Sequence, residues 1–170
     1  MIHANHRRRS LKGATLVESI IALSVLAVAV PLVLGALAEA GNKGSSAQAE
    51  TRSAWIVPAC LEEIQASRDG RPQYFPATKP GQLFPPAGDV WALAFAADGR
   101  PLGRVGRLPY QNGLKQLAGE PVRYLAVMKA VAEPQVSGTA RMLRASISIE
   151  YPASAPAGRR GNIDFHTRIP

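Results

Sequence analysis

The rhythm of polar and apolar positions changes several times along this chain, and each rhythm predicts a different element. From Ile20 to Ala38 no charged residue occurs. That run is long enough for a helix to cross the ~30 Å hydrocarbon layer of a bilayer at ~1.5 Å per residue. Pro31 removes one backbone hydrogen bond inside it and predicts a kink that a membrane helix tolerates. Gly35, Gly41 and Gly44 should soften the helix beyond that segment. From Ser45 to Arg68 a helical pattern resumes, with Ala54, Val57, Leu61 and Ile64 forming one apolar stripe. Gln48, Arg52, Glu62 and Glu63 fall elsewhere, as on an amphipathic helix laid against a sheet. Pro58 predicts a second kink or a break. Cys60 adjoins the stripe and is expected to be a small packing residue.

Beyond that helix the rhythm shortens. Arg68-Asp69-Gly70-Arg71-Pro72 is a turn signal. The prolines and aromatics from Pro72 to Asp89 predict an ordered but irregular connection. Val90 to Phe95 reads as a strand leading into Asp98-Gly99, a two-residue hairpin signal, with Pro101-Leu102-Gly103 returning. Val122 to Met128 reads as another strand. From Met142 to Tyr151 the chain alternates: Leu143, Ala145, Ile147, Ile149 and Tyr151 share one face, and Arg144, Ser146, Ser148 and Glu150 the other. That period of two marks a half-buried antiparallel strand. Pro152 to Gly161 is a loop, and Asn162 to Ile169 a last strand. The expected fold is therefore α+β. A long N-terminal helix, transmembrane in its first half, packs its second half on a small antiparallel sheet of about four to six strands.

Charge modifies this picture at the N-terminus. The formal net charge is +8, from 20 basic and 12 acidic side chains. Arg7, Arg8, Arg9 and Lys12 all precede Gly13, so a chain starting at Ala14 would carry 16 basic and 12 acidic groups, or +4. The basic excess is partly a property of the first residues and argues only weakly for nucleic acid. One cysteine permits no intramolecular disulfide.

The N-terminal segment is open to three readings: a short basic leader cut after Gly13, a signal peptide cut after Ala36-Leu37-Ala38, or an uncleaved anchor. The arginines favour a cytoplasmic N-terminus in each. Signal peptides carry apolar cores of about 7–15 residues; this one is longer and has Glu18 near its start. A carboxylate inside a membrane helix costs about 2.5–3.5 kcal/mol near the centre and less towards the edge, so it calls for a partner or a function.

The stretch from Arg7 to Ala38 resembles the type IV pilin and pseudopilin family. The resemblance rests on the basic leader, Gly13, Thr15-Leu16-Val17-Glu18 and the apolar helix that follows. Ala14 departs from the pattern, which usually has an aromatic residue or Met there. Leu16 to Leu23 looks most like the minor-pilin branch, including the type II secretion minor pseudopilin I. The resemblance implies cleavage at Gly13/Ala14 by a prepilin peptidase and N-methylation of Ala14. It also implies a role in subunit assembly for Glu18, with Thr15 and Leu16 beside it. In the family, the carboxylate at this position meets the terminal amine of a neighbouring subunit. The alternative for Glu18 is a hydrated acid at a helix start, where the macrodipole favours it. The implied partners are prepilin peptidase, other pilin or pseudopilin subunits, an inner-membrane assembly platform and, before assembly, membrane lipid. The organisation expected is a leader at 1–13, a transmembrane or filament-core helix at 14–40, its amphipathic continuation at 41–68 and a loop-rich β head at 69–170.

No catalytic residue, metal site or cofactor is expected. His166 is the one histidine after Gly13, and no cluster of His, Cys, Asp and Glu has ligand spacing. Gly99 to Arg107 is glycine-rich and basic but lacks the phosphate-loop pattern and a following helix, so it reads as a solvated loop. Arg100, Arg104 and Arg107, with Arg159 and Arg160, are the candidates for weak nucleic-acid contacts, although nucleic acid is not the expected partner. The function expected is a structural subunit, a minor pilin or pseudopilin. The alternative is a membrane-tethered or exported β-rich binding domain unrelated to pili.

Overall fold

The computed structural model describes residues 15–78, 84–86, 88–132 and 142–169. The chain divides into two compact units, Met1–Lys43 and Gly44–Pro170. Helix α1 runs over Leu16–Arg68. Neither Pro31 nor Pro58 interrupts it, so the break expected at Pro58 does not occur. Each proline, lacking an N–H, forfeits one helical hydrogen bond, and the helix continues past both. In the first unit every large apolar side chain from Leu16 to Leu37 is between 50% and 78% exposed.

In the second unit, α1 is followed by β1 (Trp91–Phe95), β2 (Pro101–Val105), α2 (Arg107–Asn112), β3 (Gln116–Leu117) and β4 (Glu120–Pro121). Three nine-residue strands complete it: β5 (Tyr124–Ala132), β6 (Leu143–Tyr151) and β7 (Gly161–Ile169). The main sheet is antiparallel, in the order β2-β1-β5-β6-β7, and β3 with β4 forms a separate two-stranded ribbon. The α+β layout is as the sequence predicts.

The helix buries a face rotated by about one residue from the expected stripe. Ala49, Ile56, Cys60 and Ile64 are fully covered, while Val57 and Leu61 are half-buried and Ala54 is exposed. Glu63, expected off the stripe, is buried, and so is Ser67. This face packs on Trp91, Leu93, Phe95, Tyr124, Ala126, Met128, Ala145, Ile147 and Ile149 from the inner face of the sheet. Helix α1 ends in a Schellman motif. Arg71 N–H reaches Ala66 C=O at 2.8 Å, and Gly70 N–H reaches Ser67 C=O at 3.4 Å. Gly70 holds φ +75°, a left-handed conformation that glycine adopts without a Cβ penalty.

The proline-rich connection is held by the end of the helix. The Glu63 carboxylate accepts from the backbone N–H groups of Gln73, Tyr74 and Phe75 at 3.1, 2.8 and 2.9 Å. One turn on, Ser67 Oγ donates to Pro76 C=O at 2.8 Å, and Ser67 C=O accepts Thr78 N–H at 3.0 Å. The backbone of residues 73–78 is thus held by Glu63 and Ser67, four residues apart on one helix face, and Phe84 makes an isolated bridge to Ala130. Phe75 then stacks on Trp91, with ring centroids 4.7 Å apart, and Phe84 meets Trp91 edge-on.

A second apolar cluster covers part of the outer face: Ala92, Ala94, Val105, Val122, Leu125 and Ala153, beneath α2 and the β3–β4 ribbon. Strand β1 is therefore buried on both sides, which explains its unbroken apolar run. The β1–β2 hairpin differs from the two-residue turn expected. Ala96 and Arg100 close it around Ala97, Asp98 and Gly99, with Gly99 at φ +91° and a register shift between Ala94 and Phe95. The stretch from Gly99 to Arg107, expected to be a loop, is mostly strand β2, and a short helix does follow it.

Candidate functional site

The first candidate site is the start of α1. Thr15 caps the helix: its Oγ1 accepts Glu18 N–H at 3.3 Å, and its C=O accepts Ser19 N–H at 3.1 Å. Thr15-x-x-Glu18 therefore has the spacing of a capping box, which is a local, structural reason for both residue types. That spacing is visible in the sequence itself. Leu16, at 78% exposure, and Val17, at 63%, turn outward beside it. Glu18 is exposed and has no ion-pair partner among the described residues. Gly13 and Ala14, the expected processing site, lie outside the described residues. Within α1 an 18-residue window reaches a mean hydropathy of 2.7, so this one helix near the N-terminus is long and apolar enough to cross a membrane.

The arginines singled out for nucleic acid are drawn into local contacts. Arg100 pairs with Glu120 at 3.4 Å and Asp98 at 3.9 Å. Arg104 meets Asp89 at 3.2 Å and lies over the Phe75 ring, 5.5 Å from its centroid. Arg107 donates to Gly88 C=O at 3.2 Å. The charges of Arg100 and Arg104 are matched by neighbouring carboxylates, which weakens the field a phosphate backbone would meet. Helix α2, with six residues, offers no extended N-terminus for phosphate.

Arg160 corrects the expectation more strongly, because its side chain is only 1% exposed. It pairs with Glu150 at 2.7 Å and donates to Ala155 C=O at 2.7 Å and to Tyr110 C=O. The Tyr110 ring lies 4.9 Å below the guanidinium, and its hydroxyl donates to Glu150 at 2.7 Å. Burial and the adjacent Glu150 carboxylate push the Tyr110 phenol up to about 12, despite the opposing pull of Arg160. This network fastens α2 and the β6–β7 loop to the sheet. Its residues are spent on structure.

Cys60 is the packing residue expected. It is fully buried, and burial, with the Glu63 carboxylate nearby, raises its thiol far above the ordinary value. No group of three or more metal-ligating side chains occurs among the described residues. No family model, curated protein or solved structure matches this chain.

Proposed function

We propose that this chain is a minor pilin or pseudopilin, a structural subunit of a type IV pilus or a type II secretion pseudopilus. The observation that carries this reading is the start of α1. A threonine-capped helix there presents a single acid, Glu18, at the head of a segment whose large apolar side chains are all exposed. Before assembly, lipid covers that surface. After assembly, the helices of other subunits cover it. Glu18 is the one charged side chain of the segment, and the amine of a neighbour's Ala14 offsets it where the local dielectric is low.

On this reading a prepilin peptidase cuts after Gly13, and Ala14 becomes the N-methylated terminus. The helix then sits once across the inner membrane, N-terminus inward by the positive-inside rule, until an assembly platform moves the subunit into the filament. The role is structural rather than catalytic. A second reading, a membrane-tethered or exported binding domain, is favoured by a trough on the sheet of the head lined in part by charged and hydroxyl side chains.

Co-expression with a prepilin peptidase followed by intact-mass measurement tests the reading. The expected product lacks residues 1–13, and Gly13→Val stays uncut. A mature chain beginning at Glu39 would establish a signal peptide instead, and an uncut wild-type chain a plain anchor.

A further inference from the structure

The outer face of the sheet is covered over β1 and open over β6 and β7. There the register sets side chains in rows across β5, β6 and β7. Lys129, Ser146 and His166 make one row; Val127, Ser148 and Asp164 make the next. The central strand contributes two short, half-buried serines, while the flanking Lys129, Asp164 and His166 are longer and exposed. The result is a trough of about 320 Å³, walled at one end by Tyr110 and Glu150. That wall is fixed, because the buried Arg160 holds both residues.

Among the described residues, Lys129, Ser146, Ser148 and His166 make no side-chain hydrogen bond or ion pair, and Asp164 is bonded only by Asn162 Nδ2, at 2.9 Å. Directly opposed Cβ atoms on neighbouring strands stand about 5 Å apart, so Lys129 and His166 flank Ser146 across about 10 Å. Both side chains are long enough to lean over the serine hydroxyl. The row beyond holds Val131, Arg144 and Arg168. The two guanidiniums have interactions of their own but still add positive potential at that end.

We propose that this trough binds a small ligand through a carboxylate or phosphate group seated over Ser146 between Lys129 and His166. The ammonium supplies charge, and the hydroxyl and an imidazole N–H donate to the oxyanion. Asp164, one row along, repels a second anion and accepts from a hydroxyl on the ligand. The volume lies at the lower end of the ~300–1,000 Å³ typical of ligand sites, which suits a molecule the size of a sugar acid. The proposal stands apart from the assembly reading and holds whichever way that reading falls.

The test is a titration of the full-length chain in detergent micelles, followed through the imidazole resonances of His166. The probes are glucuronate, inorganic phosphate and, as the neutral control, glucose. Saturable shifts are expected with at least one anion and none with glucose. Lys129→Gln and Ser146→Val should each weaken binding by about tenfold, and Lys115→Gln, a cation outside the trough, should leave it unchanged. Asp164→Asn separates the sources: it weakens glucuronate, which loses an acceptor for its hydroxyl, and tightens phosphate, which loses a repelling charge. Should Ser146→Val fail to fold, the exposed Lys129→Gln decides alone. No saturable shift with either anion, an equal shift with glucose, or an equal loss in Lys115→Gln would overturn the proposal.

Discussion

Between Leu16 and Leu37 every large apolar side chain of α1 is at least half exposed, whereas between Ala49 and Ser67 the same helix buries one face completely. The first stretch satisfies its backbone within itself and needs nothing from the sheet, the condition a helix must meet in lipid. The second owes its stability to burial. Its outward side carries ordinary exposed residues such as Glu50, Thr51 and Glu62, and the inward side carries Ile56, Cys60, Glu63 and Ile64. Continuous secondary structure thus joins a segment whose energetics are set by its surroundings to one whose energetics are set by its own head.

Substitutions can break that contrast. The largest effect is expected at Glu18, under the assembly reading. Glu18→Ala should still be inserted and cleaved. An amine left without its carboxylate in an apolar bundle costs about 3–5 kcal/mol when fully buried, so incorporation should fall by roughly 100-fold or more. The ratio of protein in sheared filaments to protein in membranes measures this, and the thermal melt of the head should not move. An unchanged ratio would remove Glu18 from assembly.

The second test makes similar truncations in the two stretches. Ile56→Ala should destabilise the head by about 2–5 kcal/mol, the range for a buried aliphatic residue. Leu23→Ala should change head stability by less than about 0.5 kcal/mol. Denaturant melts of the two variants decide it, and equal losses would mean that the first stretch is buried after all.

A smaller effect is expected at Glu63. Glu63→Gln keeps one acceptor oxygen but turns an amide donor towards backbone N–H groups, so a loss of about 1–3 kcal/mol is expected. Faster amide exchange confined to Gln73, Tyr74 and Phe75 would locate the damage.

The smallest effect is pH-dependent. The Tyr110 phenol is raised in the folded head to about 12 from an ordinary value near 10. The folded state therefore holds its proton where the unfolded state releases it. The stabilisation is fully present below about pH 10 and is lost as pH rises towards 12. Head stability should decline across that window, and Tyr110→Phe should flatten the decline. The same slope in the variant would place its origin elsewhere.

Much of the head is legible in its sequence because the dominant signals are local. The alternation from Leu143 to Tyr151 survives intact in β6, and Asp98-Gly99 does mark a hairpin. The buried helix face differs from the apolar stripe because its period is carried partly by Cys60, Glu63 and Ser67, which an apolar count passes over. A carboxylate and a serine four residues apart, just before a proline-rich segment, are the available clue. Helix α2 and the β3–β4 ribbon escape because they are short and contain Pro109 and Pro121, residues that argue against regular structure. At the candidate assembly site, the resemblance singles out Thr15 and Glu18, while their capping geometry is a separate cause that sequence spacing alone also carries. Arg160 illustrates the limit of reading charge from composition. Nothing in Arg159-Arg160 tells which of the two is covered, because that depends on Glu150 across the β6–β7 loop and on Tyr110, 50 residues away.

Cys60 also turns the head into its own gauge. It is the only thiol in the chain, fully covered, and disfavoured as thiolate while covered. A thiol reagent therefore reacts only with molecules in which the helix has lifted from the sheet. Where closing outruns labelling, the rate relative to a free thiol gives the open fraction directly. Under the assembly reading, such a readout would work in membranes and in filaments, where melting curves do not, and it would report how firmly the head stays shut while the other half of its helix changes surroundings.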